Sequence, residues 1–121
     1  MIANDIPQQR NIIRIKPVAN LDQLVRGDHV HVVLKTISHK SFGEPSPMVY
    51  EGRTDQGELS FLAYNDAPQG GLVSFRSNPT DITFGEGRVG IPVVMTTTEL
   101  YSPGSREYFE RKNLMEGNLT G

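Results

Sequence analysis

The sequence predicts an all-β fold, mainly antiparallel, arranged as a small barrel or compact sandwich with one short C-terminal helix. Three observations lead there. Short apolar segments recur with a period of two, Gly, Pro and Asn clusters separate them, and a capped, helix-compatible stretch appears only at residues 105–116.

Taken in order, residues 11–16 alternate Ile13 and Ile15 with Arg14 and Lys16, the pattern of a half-buried strand, and Pro17 ends it. Asn20 can cap a single helical turn over residues 21–25 that stops at Gly27. Val30, Val32 and Leu34 then point inward, which leaves His29, His31 and Lys35 on the opposite, solvent-facing side. Residues 38–47 hold Gly43, Pro45 and Pro47 and form a long loop. Residues 48–54 and 58–64 pair as a hairpin through Asp55-Gln56-Gly57, with the glycine in the left-handed position. In the second strand Leu59, Phe61 and Ala63 face one way and Leu62 and Tyr64 the other, so both faces are expected to be covered.

Further strands are expected at residues 72–76 and 81–84, with a break at Gly85-Glu86-Gly87. A β-branched stretch follows at 89–100, where Pro92 marks an edge or a bulge. Ser105 caps the terminal helix, Glu107 suits its first turn, Arg111 and Lys112 its later turns, and Gly117 stops it. Tyr108, Lys112 and Met115 share one helical face, with Leu114 nearby, so the helix should dock on the sheet.

Residues 1–121 suffice for one β-rich domain, with the polar residues 1–9 outside its ordered part. That N-terminal stretch has neither the basic nor the apolar region of a signal peptide, and no apolar run approaches the ~20 residues of a membrane helix. The chain has no cysteine, which rules out disulfides, thiolate chemistry and finger-type zinc sites and fits a cytoplasmic location. Asn118-Leu119-Thr120 matches a glycosylation acceptor, but without an export signal it carries no weight. The net charge of −2 is unevenly spread: residues 1–40 hold six Lys/Arg against three acids, and the remainder six against eleven.

Between residues 24 and 64 a short helical lead-in precedes Gly27-Asp28-His29-Val30, a long loop, and Tyr50-Glu51-Gly52-Arg53 before the tight hairpin. This third of the chain resembles the SH3-like and Sm-like small β-barrels. The resemblance implies a binding fold that engages nucleic acid, peptides or copies of itself through loops and open strand edges; it transfers no functional residue, and a clear Sm-type RNA motif is missing.

No catalytic residues are assigned and no cofactor is expected, because no serine sits in a GxSxG or SxxK pattern. Ser41 and Ser46 near His39 share only a loop, and Glu44 with Glu51 is expected to be a pair of solvated carboxylates. Residues 85–90 spell GxGxxG, yet the β-branched run and Pro92 that follow forbid the helix such a fingerprint needs, so a hairpin turn is expected. His29 and His31 share a strand face and His39 offers a third nitrogen, the beginnings of a metal site, but Lys35 stands where an acidic ligand is wanted. Arg14, Lys16, Lys35 and Lys40 with Tyr64, beside Phe42 and Tyr50, can combine phosphate neutralisation with base stacking.

The leading expectation is therefore a non-enzymatic binding or assembly module with a protein partner or its own copies. It would act through the 38–47 loop, an open strand edge or the terminal helix, away from membranes. An RNA- or DNA-binding barrel using the basic N-terminal third is the alternative, and a metal-dependent enzyme at His29 and His31 the third choice.

Overall fold

The computed structural model describes residues 13–35 and 44–117. Seven strands form one sheet: β1 (His29–Lys35), β2 (Ser46–Arg53), β3 (Leu59–Tyr64), β4 (Leu72–Ser77), β5 (Thr83–Gly85), β6 (Arg88–Pro92) and β7 (Thr97–Tyr101). Their order is β5-β6-β1-β2-β3-β4-β7, and every neighbouring pair is antiparallel except β1 with β6. One helix, α1 (Arg106–Met115), closes the described chain.

The sheet is open, because its edge strands β5 and β7 do not pair with each other. It is nevertheless rolled. Only residues 93–96 join β6 to β7, whereas five strand spacings separate those strands in the sheet order. In a flat sheet that gap is about 24 Å, and four residues with their flanking bonds reach no more than ~18 Å even when extended. The link also spends Val93–Met95 on a compact 3₁₀ turn, closed by Thr96 Oγ1 donating to the Pro92 carbonyl at 2.7 Å. Curling brings the two strands within reach.

The concave face of this roll holds the larger core: Val30 and Val32 of β1, Met48 and Tyr50 of β2, Leu59 and Phe61 of β3, Val89 and Ile91 of β6, with Val18 and Ile82 closing its ends. Tyr50 and Phe61 meet as tilted rings with centroids 5.3 Å apart. The convex face holds a second core, in which Val49, Leu62, Leu72 and Tyr101 lie under Leu114 and Met115 of α1, with Tyr108 at its margin. The expectation that both faces of β3 are covered holds, and the helix does the covering. Ser105 caps α1 by accepting from the Tyr108 amide at 3.1 Å.

Turn chemistry fixes the registers. Thr54 and Glu58 close the β2–β3 hairpin, with the Thr54 amide donating to Glu58 at 2.8 Å and Gly57 at φ +82°. Glu86 (φ +55°) and Gly87 (φ +77°) both take left-handed backbone between β5 and β6, as a type I′ hairpin requires, so the GxGxxG run is a turn between strands. A bulge between Tyr50 and Gly52 sets Glu51 out of register against β3.

Three expectations change. Residues 13–16 form no strand; Ile15 makes a single parallel bridge to His29, and Lys16 donates its amide to the His29 carbonyl at 2.7 Å. The stretch 89–100 is two strands on different parts of the sheet, because Pro92 cannot extend the ladder and ends β6. The turn after Asn20 is a 3₁₀ turn over Leu21–Gln23 without a side-chain cap. Residues 1–9, His39, Lys40, Phe42 and the 118–120 acceptor lie outside the described residues, as does most of the 38–47 loop.

Gly71 and Gly57 give a paired test of this geometry. Both have positive φ, but a Cβ on Gly71 would collide with the Tyr101 carbonyl, whereas one on Gly57 meets nothing within 4 Å. In denaturant titrations Gly57→Ala should lose about 1 kcal/mol from backbone strain alone. Gly71→Ala should lose upward of ~2 kcal/mol, since the β4–β7 pair must also shift. Equal losses would contradict the close approach of β7 to residue 71.

Candidate interaction surface

The structure separates the basic residues singled out in the sequence. Lys16 Nζ is engaged at 2.9 Å by Asp28 Oδ2 and also donates to the Gln23 carbonyl, so it ties the N-terminal segment to the 3₁₀ turn. Asp28 Oδ2 accepts the Val25 amide as well, which makes the carboxylate a local anchor. Lys35 lies at the other end of β1, roughly 20 Å away along an extended strand, and reaches Thr83 Oγ1 at 3.3 Å. Arg14 is exposed beside the first described residue, and Tyr64 stands at the end of β3, more than half exposed. These groups form no common patch.

His29 and His31 share the convex side of β1 as expected, but His29 is partly buried and its Nε2 is withdrawn from solvent. It lies in an apolar recess of about 300 Å³ with Ile13, Ile15, Met48, Val49, Tyr64 and Met115. Its Nε2 is buried without a hydrogen-bond partner among the described residues. Burial pushes the imidazole pKa below its ordinary value, and the nearby Asp28 carboxylate opposes this only in part. Among the described residues no three His, Asp or Glu side chains come together as a metal-binding set. Periodicity assigned His29 to the correct face; the helix that covers this face is remote in sequence and gave no local signal.

Among the described residues the β7 edge is left uncovered. Of its five residues only Tyr101 is buried. Thr98 and Leu100 pair with Phe75 and Val73 of β4, yet both are exposed, so none of the described residues covers the concave side of this strand. Val93, Val94 and Met95, just before it, are 44%, 63% and 56% exposed, and Leu100 is 46% exposed. The opposite edge, β5, has three residues and leads straight into a turn. β7 is thus the longer free template for a further strand.

This edge is held rigidly from behind. Arg76 of β4 donates from Nη2 to the Tyr101 hydroxyl at 2.6 Å and pairs through Nη1 with Glu99 Oε1 at 3.0 Å. Burial alone would lower the guanidinium pKa, but Tyr101 and Glu99 outweigh it and raise the value. The Arg111 guanidinium from α1 stacks 4.2 Å above the centre of the Tyr101 ring. The sequence put residues 97–100 in a strand but did not show that this strand is terminal, because strand order is a property of the pairing.

The chain matches no family model, no curated protein and no solved structure, so fold and site rest on the geometry alone. No helix among the described residues is long and apolar enough to cross a membrane.

His29 makes stability pH-dependent with a definite sign. Its folded-state pKa lies below the ordinary 6.5, so the unfolded chain takes up the proton first. The stabilisation is complete above 6.5 and is lost as pH falls through that value toward the folded-state pKa. The melting temperature should therefore fall more steeply from pH 7.5 to 5.5 in the parent chain than in His29→Gln, and parallel profiles would show that the recess does not desolvate the ring.

Proposed function

We propose that this chain is a non-enzymatic assembly module of a reducing, cytoplasmic setting that associates with a second copy of itself by antiparallel pairing of β7 strands. Strand edges serve the SH3-like and Sm-like barrels it resembles in the same way. The observation that carries the reading is a five-residue edge with uncovered apolar side chains on and beside it. Edge strands of proteins that stay monomeric are ordinarily shortened, charged or covered.

Identical strands pairing about a twofold axis make a closed interface, which ends at the dimer. With the axis at Glu99, Thr98 of one copy opposes Leu100 of the other, and Thr97 opposes Tyr101. Such β-branched and aromatic pairs suit neighbouring strands. The two Glu99 carboxylates then face each other, but each already has Arg76 as its partner, which blunts their repulsion. Main-chain hydrogen bonds supply the pairing, and Val94, Met95 and Leu100 supply apolar area.

Sedimentation equilibrium over a concentration series tests this, with Val94→Lys and Leu100→Lys as the variants because both side chains are already exposed and the fold should tolerate the change. The parent chain should dimerise, and each lysine should raise the dissociation constant by about tenfold or more, the cost of placing a charge against an apolar contact. A monomer at every accessible concentration, or dimers indifferent to both substitutions while still melting cooperatively, would refute pairing through this edge.

A further inference from the structure

A second feature, away from the free side of β7, is a groove of about 380 Å³ where the β2–β3 hairpin, β4 and α1 meet the segment leading into β1. Four arginines from four parts of the chain line it: Arg26, Arg53, Arg76 and Arg111. Two carboxylates, Glu51 and Asp55, share the wall. Two of the arginines have structural work. Arg111 Nε meets Glu51 Oε2 at 2.5 Å, while Ser60 Oγ donates to Glu51 Oε1 at 2.8 Å, and Arg76 is engaged by Glu99 and Tyr101.

The other two have none of this kind. Arg26 Nε donates to the Glu51 carbonyl at 3.1 Å, and Arg53 reaches the Gly57 carbonyl only at 3.5 Å. Neither has a carboxylate partner among the described residues. A guanidinium that donates once to a backbone carbonyl keeps both its charge and several N–H groups unsatisfied by protein. Arg76, on the same wall, adds a buried Nε–H with no partner among the described residues. Thr54 Oγ1 accepts the Glu58 amide at 3.2 Å, so its own O–H is left to donate.

From this we propose that the groove binds a phosphate group, with Arg26 and Arg53 as its principal ligands and Thr54 as a hydroxyl donor. With Arg76 paired to Glu99 and Arg111 to Glu51, Arg26 and Arg53 are opposed in the groove by Asp55 alone, an excess of one positive charge that attracts a phosphate oxyanion. Guanidinium forks fit tetrahedral oxyanions through paired N–H donors. The groove is larger than the ion itself, leaving room for the organic group that carries it. The chain as a whole is negative, so this local excess is set against the field of the rest of the molecule.

The test uses the full chain and pyrophosphate as the probe, titrated at low salt by calorimetry, with Arg26→Gln/Arg53→Gln against Arg14→Gln as a control cation outside the groove. Saturable binding is expected, weakened about tenfold or more in the double variant by loss of two charge-assisted contacts and unchanged in the control. Both mutated side chains are exposed, and an unaltered thermal melt shows that the fold persists. Absence of saturable binding by the parent, or equal affinity in parent and double variant, overturns the proposal. Competition by a short single-stranded oligonucleotide, with the same arginine dependence, would identify the phosphate source as nucleic-acid backbone; failure to compete would assign it to a small phosphorylated molecule. Both of these results require that the groove bind.

Discussion

The short passage from β6 to β7 governs the rest of the molecule. Strands at nearly opposite ends of the sheet order are joined by residues 93–96 alone, so the sheet must roll until they approach. Rolling creates the concave core, because Val30, Val32, Tyr50, Phe61, Val89 and Ile91 then converge on one interior. It also exposes a convex back that a flat sheet of this size would have to bury against a second layer. The helix supplies that layer over β2, β3 and β4, where Val49, Leu62 and Leu72 meet Leu114 and Met115. A barrel closes such a roll with hydrogen bonds; here β7 pairs with β4, and no described strand pairs with its other side.

Docking the helix brings charge onto the back of the sheet, and the β2 bulge organises it. Because Glu51 falls out of register between Tyr50 and Gly52, its side chain reaches both Ser60 across the hairpin and Arg111 from α1. The side chains of this pair are 16% and 21% exposed, so each ion gives up much of its hydration. Such a pair is retained where further hydrogen bonds satisfy both partners, and here the Ser60 hydroxyl and the Glu107 carbonyl do so. The interaction specifies where the helix sits more than it adds net stability.

Much of this was legible in local sequence, and the limits have physical causes. Alternation of Val30 and Val32 with His29 and His31 fixed the faces of β1, Asp55-Gln56-Gly57 fixed a hairpin, and Ser105 and Gly117 bracketed the helix, since each signal acts over a few residues. Parallel pairing of β1 with β6 was not legible, because nothing near residue 33 records that Gly90 will lie beside it. The alternation at Ile13 to Lys16 suggested a strand, yet the segment keeps only a single bridge from Ile15 to His29 before Pro17. Lys16 and Lys35 lie at opposite ends of β1, whereas Arg26, Arg53, Arg76 and Arg111, each more than twenty residues from the next, line one groove.

The two proposed surfaces converge on Arg76. Its Nη1 and Nη2 hold Glu99 and Tyr101 of the edge strand, and the same residue lines the arginine groove. A phosphate that drew this guanidinium toward the groove would weaken its hold on Glu99, the residue placed on the twofold axis of the paired edges. Two Glu99 carboxylates released from their arginines would then face each other as like charges directly across a strand pair, an arrangement that destabilises pairing. Linkage requires the converse with equal strength: edge pairing, which benefits from Arg76 on Glu99, would disfavour anion entry. If both proposed surfaces act, the single arginine shared by groove and edge would make occupancy of one a cost to the other, through a contact of 3.0 Å.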